Sequence, residues 1–370
     1  MKILVSGASI AGLSTAYWLV RSGHDVTVVE NSADPRRGGV AVDVRGEALE
    51  VAREMGVLDE VTRNRVPTED IYYFLDAAGR VEAQFTPSTQ FYDSPGDIEI
   101  SRDSLSDILR AAVPPGARFR YGESVAAVRE LADGVEVRLT DGTTQRVDLL
   151  VGADGMHSNV RRLVFGPEQR FVRHLGLYVG IVKRSAAGAG LAGSHVYNIP
   201  GRMVMLRGDG VDCSAVLGFR SAWLDYDFRD VAAQQEIVTD AFRAEPGWRV
   251  PEVVDEIGRD AHFYFDSVGQ VRMDGWSEGR TVLVGDAGYC ASFFSGMGTS
   301  LAMIGAASLA RELAAAGDDL SVALPGYDRA MRPVVDEAHE MANGGADILF
   351  PVTAEDIEER NARLREAARA

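Results

Sequence analysis

The most constraining feature of the chain lies near its start. A short apolar run, Lys2–Ser6, meets Gly7-Ala8-Ser9-Ile10-Ala11-Gly12, and a helix-periodic stretch, Ile10–Ser22, follows until Gly23 stops it. Asp25–Glu30 (D-V-T-V-V-E) is then a β-branched strand ending on an acid. Strand, glycine turn, helix and strand in this order predict a parallel sheet with crossover helices. The turn has the spacing of the G-x-G-x-x-G dinucleotide fingerprint, with Ser9 replacing the middle glycine. Gly7 serves the tight turn and Gly12 the close helix–strand packing. Free N–H groups at the helix start, around Ala11, offer partial positive charge to a pyrophosphate. Glu30, eighteen residues after Gly12, stands where a carboxylate accepts both ribose hydroxyls of an adenosine. Ser9 adds a Cβ where the backbone nears phosphate, so either the turn shifts or the hydroxyl donates a hydrogen bond.

At 370 residues the chain has the length of about two domains. Its formal charge of -17 repels phosphate backbones and anionic lipid, which argues against nucleic-acid and membrane partners. Cys213 and Cys290 are too few for a disulfide framework. Ala287–Ala310 carries no charge, but Gly288, Gly296, Gly298 and Gly305 interrupt it, so it reads as a loop and a buried helix rather than a membrane span. The first residues lack the layout of a signal peptide, and a cytoplasmic location is expected.

Downstream, Glu47–Met55 and Ser104–Ala112 read as helices. Phe119–Val151 reads as three strand-like runs, a small antiparallel insertion on the parallel core. Residues 171–270 change to alternating segments rich in Tyr, Phe, Met and Arg, which predict a second sheet. The expected fold is α/β: a Rossmann-like nucleotide domain from 1–70, 101–170 and 271–350, a mainly antiparallel sheet domain from 71–100 and 171–270, and a C-terminal helix over 351–370 with Thr353 as N-cap. Its oligomeric state is not legible. Tyr178, His195, Tyr197, Met203, Met205, Arg207, Phe219, Arg220, Phe263 and Tyr264 are candidates to roof a site. Met203 and Met205 share one face and Val204 and Leu206 the other.

A second constellation joins the wholly apolar strand Thr281–Gly285 to Asp286 and then Ser295-Gly296-Met297-Gly298. A carboxylate at the end of a buried strand needs hydrogen-bond partners, and a polyol chain suits it. A Gly-Met-Gly turn opening the helix Gly298–Ala316 permits close backbone approach and presents a positive dipole end. His339-Glu340 begins H-E-x-x-H, but Asn343 replaces the second histidine, so the pair reads as an exposed helical one.

With these residues in place the chain resembles the single-component FAD-dependent aromatic hydroxylases, the para-hydroxybenzoate hydroxylase class. In pattern it is similar to the compact tetracycline-modifying and polyketide-tailoring monooxygenases. Four motifs match in order over residues 5 to 300: Gly7–Gly12 with Glu30, Glu99–Leu105 around Arg102, Asp148–Gly155 continuing to Ser158, Val160 and Arg161, and Gly285-Asp286 with Gly296-Met297-Gly298. The resemblance implies FAD, a transient NAD(P)H (NADPH favoured), molecular oxygen, and hydroxylation of a hydrophobic aromatic or polycyclic molecule through a flavin hydroperoxide. No protein acid or base is implied. It also implies that Glu30 and the neighbouring Asn31 meet the adenosine, where Asn31 replaces the family's usual Arg. Arg102 would hold the pyrophosphate–ribityl region and Asp286 the ribityl and pyrophosphate oxygens. Asp43 would lie on the flavin side, Arg37 (or Arg36) toward the nicotinamide, Asp154 and Gly155 around the pyrophosphate, and Gly296, Met297 and Gly298 against the ring. Phe293 replaces a family proline. Phe293, Phe294, Met205, Arg220 and Tyr197 are the pocket candidates. A flavin-scaffolded cyclase without redox chemistry and a ligand-sequestering flavoprotein share the fold and stand as alternatives.

Overall fold

A computed structural model describes residues 1–35, 41–66, 71–86, 96–183, 185–209 and 213–369. Lys2–Ser6 lies at the centre of a parallel sheet, between Leu149–Gly152 and Asp25–Glu30. Thr281–Leu283 and Arg118–Tyr121 extend it on the two sides, and Ser277–Glu278 adds an antiparallel edge. The central strands are apolar because both faces are covered, by helix Ile10–Arg21 and by the antiparallel insertion containing Gly134–Leu139 and Thr144–Val147, and Ile3, Leu4, Val5, Leu149, Leu150, Val282 and Leu283 are wholly buried. Helix Ile10–Arg21 packs against the long helix Gly298–Ala315, which is buried nearly all round.

The run after Phe119 divides more finely than its alternation suggests. Arg118–Tyr121 and Leu149–Gly152 join the parallel sheet, while Val125–Leu131, Gly134–Leu139 and Thr144–Val147 form the antiparallel insertion.

The second domain is a seven-stranded sheet in the order Tyr264–Val271, Val172–Val182, Cys213–Arg220, Arg202–Asp209, Ala192–Ile199, Tyr72–Leu75, Val81–Phe85. Strand alternation gives it two unlike faces. The back face, with Tyr178, Val204, Leu206 and Phe219, packs with residues of helices Val231–Phe242 and Val250–Ile257. The front face, with Leu177, Val196, Met203, Met205 and Val216, packs with Phe294 and Phe350. Ile98–Ser101, which the sequence reading groups with this sheet, pairs instead with Ala41–Val44 in a two-stranded ribbon beside the nucleotide domain.

Leu320–Leu349 is one long helix despite Pro325 and Pro333. Leu324, Tyr327, Met331, Val335, Ala338 and Ala342 recur every three or four residues and are all buried, and this stripe holds the helix together through both prolines. It overturns the reading of His339 as exposed. His339 is buried, with Nε2 3.1 Å from the Cys290 carbonyl. The final helix, Ala354–Ala367, starts at Thr353 in a capping box with Asp356. Among the described residues no helix is long and apolar enough to cross a membrane, and no cluster of His, Cys, Asp and Glu is arranged to hold a metal.

Candidate active site

The first turn is built as its glycines require. Gly7 has φ of 107°, and a Cβ there would lie 2.3 Å from the Ala153 carbonyl oxygen. A Cβ on Gly12 would lie 1.9 Å from the Gly7 carbonyl oxygen. Glu30 is pinned beside this turn: Ala8 N–H donates to Oε2 (2.8 Å) and Ser32 N–H to Oε1 (2.9 Å). Asn31 follows at the strand end with an exposed side chain.

Ser9 does something the sequence did not disclose. It is the N-cap of Ile10–Arg21, but its hydroxyl accepts no N–H from the helix. It accepts instead from Arg102 Nη2 at 2.8 Å. The guanidinium is thereby held at the helix N-terminus, where the first-turn N–H groups stay open, and two sources of positive charge converge where an anion would bind.

Asp286 completes the convergence from the far end of the chain. Its strand enters beside the same helix, since a Cβ on Gly285 would lie 2.9 Å from Ala11 Cβ. A Cβ on Gly298 would lie 3.8 Å from Asp286 Oδ1. The carboxyl opens partly to the crevice but is closely surrounded by protein. Burial pushes its pKa up, opposed by the Cys290 thiol and the Arg102 charge, while the Asp266 charge adds to the rise. Such an acid wants hydroxyl donors, and a ribityl chain supplies them.

The turn itself is tightly organised. Ser292 has φ of 98° and Gly296 of 62°. Ser295 Oγ donates to the Ser292 carbonyl (2.8 Å) and accepts from Met297 N–H (3.1 Å), which sets the start of the helix at Gly298. Asp43 approaches from the ribbon. A Cβ on Gly296 would lie 3.3 Å from Asp43 Oδ2 and 3.4 Å from Arg45 Cζ, and Arg45 is ion-paired to Asp43 at 3.1 Å. Ser300 Oγ fastens this ribbon to the helix: it accepts from Arg45 N–H (2.9 Å) and donates to the Asp43 carbonyl (3.3 Å). An open helix N-terminus carrying Arg102, a desolvated acid and a glycine-lined turn together fit FAD. Arg36 and Arg37 lie outside the described residues.

Asp154 faces inward. It accepts from Ser158 Oγ and from the N–H groups of Asn159 (3.0 Å) and Val160 (3.1 Å), and so fixes the start of helix Asn159–Val164. Burial pushes its pKa up, and these hydrogen bonds work against that. Gly155 takes φ of 84° at this bend with nothing near its would-be Cβ.

The loop it shapes delivers His157, which the motif reading passed over. The imidazole lies 3.1 Å from both Glu168 Oε1 and Asp266 Oδ1 and stacks on Phe228. Asp266 belongs to the seven-stranded sheet, so this contact ties the two domains. Burial opposes the charge on His157, but the hydrogen bonds to Asp266 and Glu168 outweigh it and push the pKa up to about 10. A raised histidine pKa adds stability fully below the unfolded value of 6.5, and this is lost as pH rises through about 10. His157→Gln is therefore expected to melt below wild type at pH 6, with the gap closing toward pH 10. Thermal melts at pH 6, 8 and 10 check this, and a pH-independent gap would contradict it.

The sheet faces divide the pocket candidates. Met205 and Phe294 share the front-face cluster. Phe293 meets Phe294 edge-on and is 44% exposed, at the rim. Arg220 pairs opposite the front-face Leu177, but Nε and Nη2 are spent on the Phe350 carbonyl (3.0 and 2.8 Å). Tyr197 is on the back face, donating to Glu245 Oε1 (3.1 Å), and His195 shares that side by strand alternation. A groove bounded by Lys2, Thr27, Arg118, Phe119, Arg120 and Gln145 lies away from the carboxyl ends of the strands, where open α/β sheets bind ligands.

Residues 1–181 match the model of a family described as FAD binding domain. An uncharacterized protein of Mycobacterium tuberculosis is 37% identical, over 96% of each chain. A flavin-dependent monooxygenase of Legionella longbeachae is 35% identical, over 91% of this chain and 86% of its own. The crystal structure of a tetracycline destructase superposes with a TM-score of 0.84 at 31% identity, over 99% of this chain and 96% of the other. With its glycine turn, buried acid and Gly296–Gly298 turn converging on one crevice, and with these relatives, the chain belongs to the FAD-dependent monooxygenases.

Proposed function

We propose that this enzyme uses NADPH and molecular oxygen to hydroxylate a fused-ring aromatic or polyketide-like molecule. The observation that carries the reading is the position of the apolar front face, with Met203 and Met205, in one cluster with Phe294 of the Gly296–Gly298 turn. The similarity to tetracycline destructases supports a polycyclic substrate. FAD, when bound, supplies the redox and oxygen chemistry, and the protein supplies position, dryness and charge. Arg102, steadied by Ser9, would hold the pyrophosphate together with the open helix start. Glu30 and Asp286 would accept from ribose and ribityl hydroxyls. The helix beginning at Gly298 would offer its positive end to the ring and favour negative charge there. Phe294 and Met205 would exclude water over it.

The test is anaerobic mixing of the FAD-loaded enzyme with NADPH, followed at 450 nm, with and without a fused-ring phenol. Bleaching accelerated by the phenol, and oxygen uptake with hydroxylated product once air is admitted, are expected. Absence of bleaching with both NADPH and NADH would overturn the reading in favour of a non-redox scaffold or a sequestering flavoprotein.

A further inference from the structure

The segment that leads into the flavin-side turn is held from behind by side chains outside the site described above. Three consecutive carbonyls, those of Cys290, Ala291 and Ser292, each accept a side-chain hydrogen bond. His339 Nε2 donates to Cys290 (3.1 Å), Gln270 Nε2 to Ala291 (3.2 Å) and Ser295 Oγ to Ser292 (2.8 Å). The Cys290 carbonyl also accepts from Val271 N–H at 2.9 Å. The outer holders come from two directions: Gln270 and Val271 close the strand Tyr264–Val271, and His339 lies on the helix Leu320–Leu349.

Gln270 is buried, and its amide is fully used. Nε2 donates its second hydrogen to the His339 carbonyl (2.8 Å), while Oε1 accepts from Arg272 Nε (3.1 Å) and Nη2 (2.8 Å). Turning the amide over would set an oxygen against two carbonyls and a donor against a guanidinium, so its orientation is fixed. The buried His339 has no hydrogen-bond partner for Nδ1 among the described residues. Burial and the Arg272 charge push its pKa down, against the Cys290 carbonyl, the Asp336 charge and the Val271 carbonyl. A neutral ring with its proton on Nε2 suits this arrangement. What the two residues hold is strained. Ser292 takes φ of 98° and ψ of 153°, a conformation that glycine alone adopts freely and that persists where its surroundings over-determine it. Phe293, Phe294 and then Gly296–Gly298 depart from Ser292, so its backbone sets where the helix at Gly298 begins.

Resting on the reading above that this turn meets the flavin, we propose that Gln270 and His339 are positioning residues for the cofactor. Through the Ala291 and Cys290 carbonyls they keep Ser292 at positive φ and so aim the start of helix Gly298–Ala315 at the ring. With either donor removed, a shielded carbonyl loses a partner. Ser292 then relaxes toward negative φ, and the helix start is withdrawn. The loss falls unevenly on the two oxidation states of the flavin, because a positive helix end favours the negative charge gained on reduction.

The experiment measures the reduction potential of the bound flavin in wild type, Gln270→Met, His339→Met and His339→Gln, each loaded with FAD. Methionine keeps much of the bulk without a donor, and glutamine at position 339 keeps an N–H for the Cys290 carbonyl. In both methionine variants, affinity for the reduced flavin is expected to fall roughly fivefold further than affinity for the oxidised one, a potential lower by about 20 mV. His339→Gln is expected to return to the wild-type potential. A general loosening of the fold would weaken both oxidation states alike and leave the potential where it is. An unmoved potential in either methionine variant, or a His339→Gln potential as low as that of His339→Met, would overturn the proposal. If one methionine variant does not fold, the other decides. If neither folds, Gln270→Asn, whose amide is drawn back by one methylene, takes their place with the same expected shift. A misplaced flavin is seen separately, as Asp286→Asn that keeps its flavin. Failure of the hydroxylase reading is seen as flavin that NADPH does not bleach although the shift is present.

Discussion

Asp286→Asn is expected to emerge from purification almost without flavin. The substitution preserves shape but replaces an acceptor-only carboxylate with an amide whose nitrogen confronts the polyol with donors. Hydrogen bonds to a charged group contribute about 1.5–3 kcal/mol each, so losing one or two weakens FAD by roughly 10-fold to 10,000-fold. The ratio of absorbance at 450 nm to that at 280 nm measures this directly. The fold should not suffer. Without cofactor, Asp286 is a desolvated acid whose pKa is pushed up, and an acid so shifted adds stability below its unfolded pKa that is lost as pH rises through the folded one. At pH 7 the apoprotein of the Asn variant is therefore expected to melt at or above the wild-type apoprotein, and the part of the pH slope owed to Asp286 disappears. A variant that keeps stoichiometric flavin would remove Asp286 from the binding site. One that loses flavin only through a large fall in melting temperature would make it a structural residue.

Gly12→Ala should act through the fold first. Its Cβ would stand 1.9 Å from the Gly7 carbonyl oxygen and 2.8 Å from the carbonyl carbon, and neither is the tip of a flexible side chain. The helix must lift off the strand turn, at a cost of about 3 kcal/mol and at least about 5 °C in melting temperature. Lifting also withdraws the N–H groups that meet the pyrophosphate, so flavin is lost as well. Gly298→Ala is the contrasting case. Its nearest contact would be an ordinary 3.8 Å to Asp286 Oδ1, so the apoprotein should melt normally while FAD binding weakens. Differential scanning calorimetry with flavin stoichiometry separates the two, and equal melting temperatures for Gly12→Ala and wild type would refute the crossing described for helix Ile10–Arg21.

Local signals made the nucleotide half legible in sequence. The Gly7–Gly12 spacing, the acid at Glu30 and the apolar run into Asp286 each report a short stretch of backbone, and their spacing survives without tertiary information. What stayed hidden depends on contacts between distant stretches. Ser9 looks like a defective glycine until Arg102, 93 residues away, is seen donating to its hydroxyl. His157 is one residue of a turn motif until Glu168 and Asp266 flank it. Strand alternation says that Met205 and Tyr197 point somewhere definite, but not that the first joins Phe294 while the second faces the helices behind the sheet. The helix Leu320–Leu349 was obscured by Pro325 and Pro333, although its buried stripe could have been read from spacing. The hold of Gln270 and His339 on the Ala291 and Cys290 carbonyls needed a strand, a long helix and a turn to assemble.

The Phe350 ring rests where a side chain on Gly218 would otherwise stand, only 2.4 Å from that glycine's would-be Cβ. The neighbouring Arg220 grips the carbonyl of the same phenylalanine. One end of the front face is thus stoppered by a ring brought from another part of the chain. On the proposed function, a guest lying along the sheet would end against this ring, and Phe350→Ala would lengthen the space open to it.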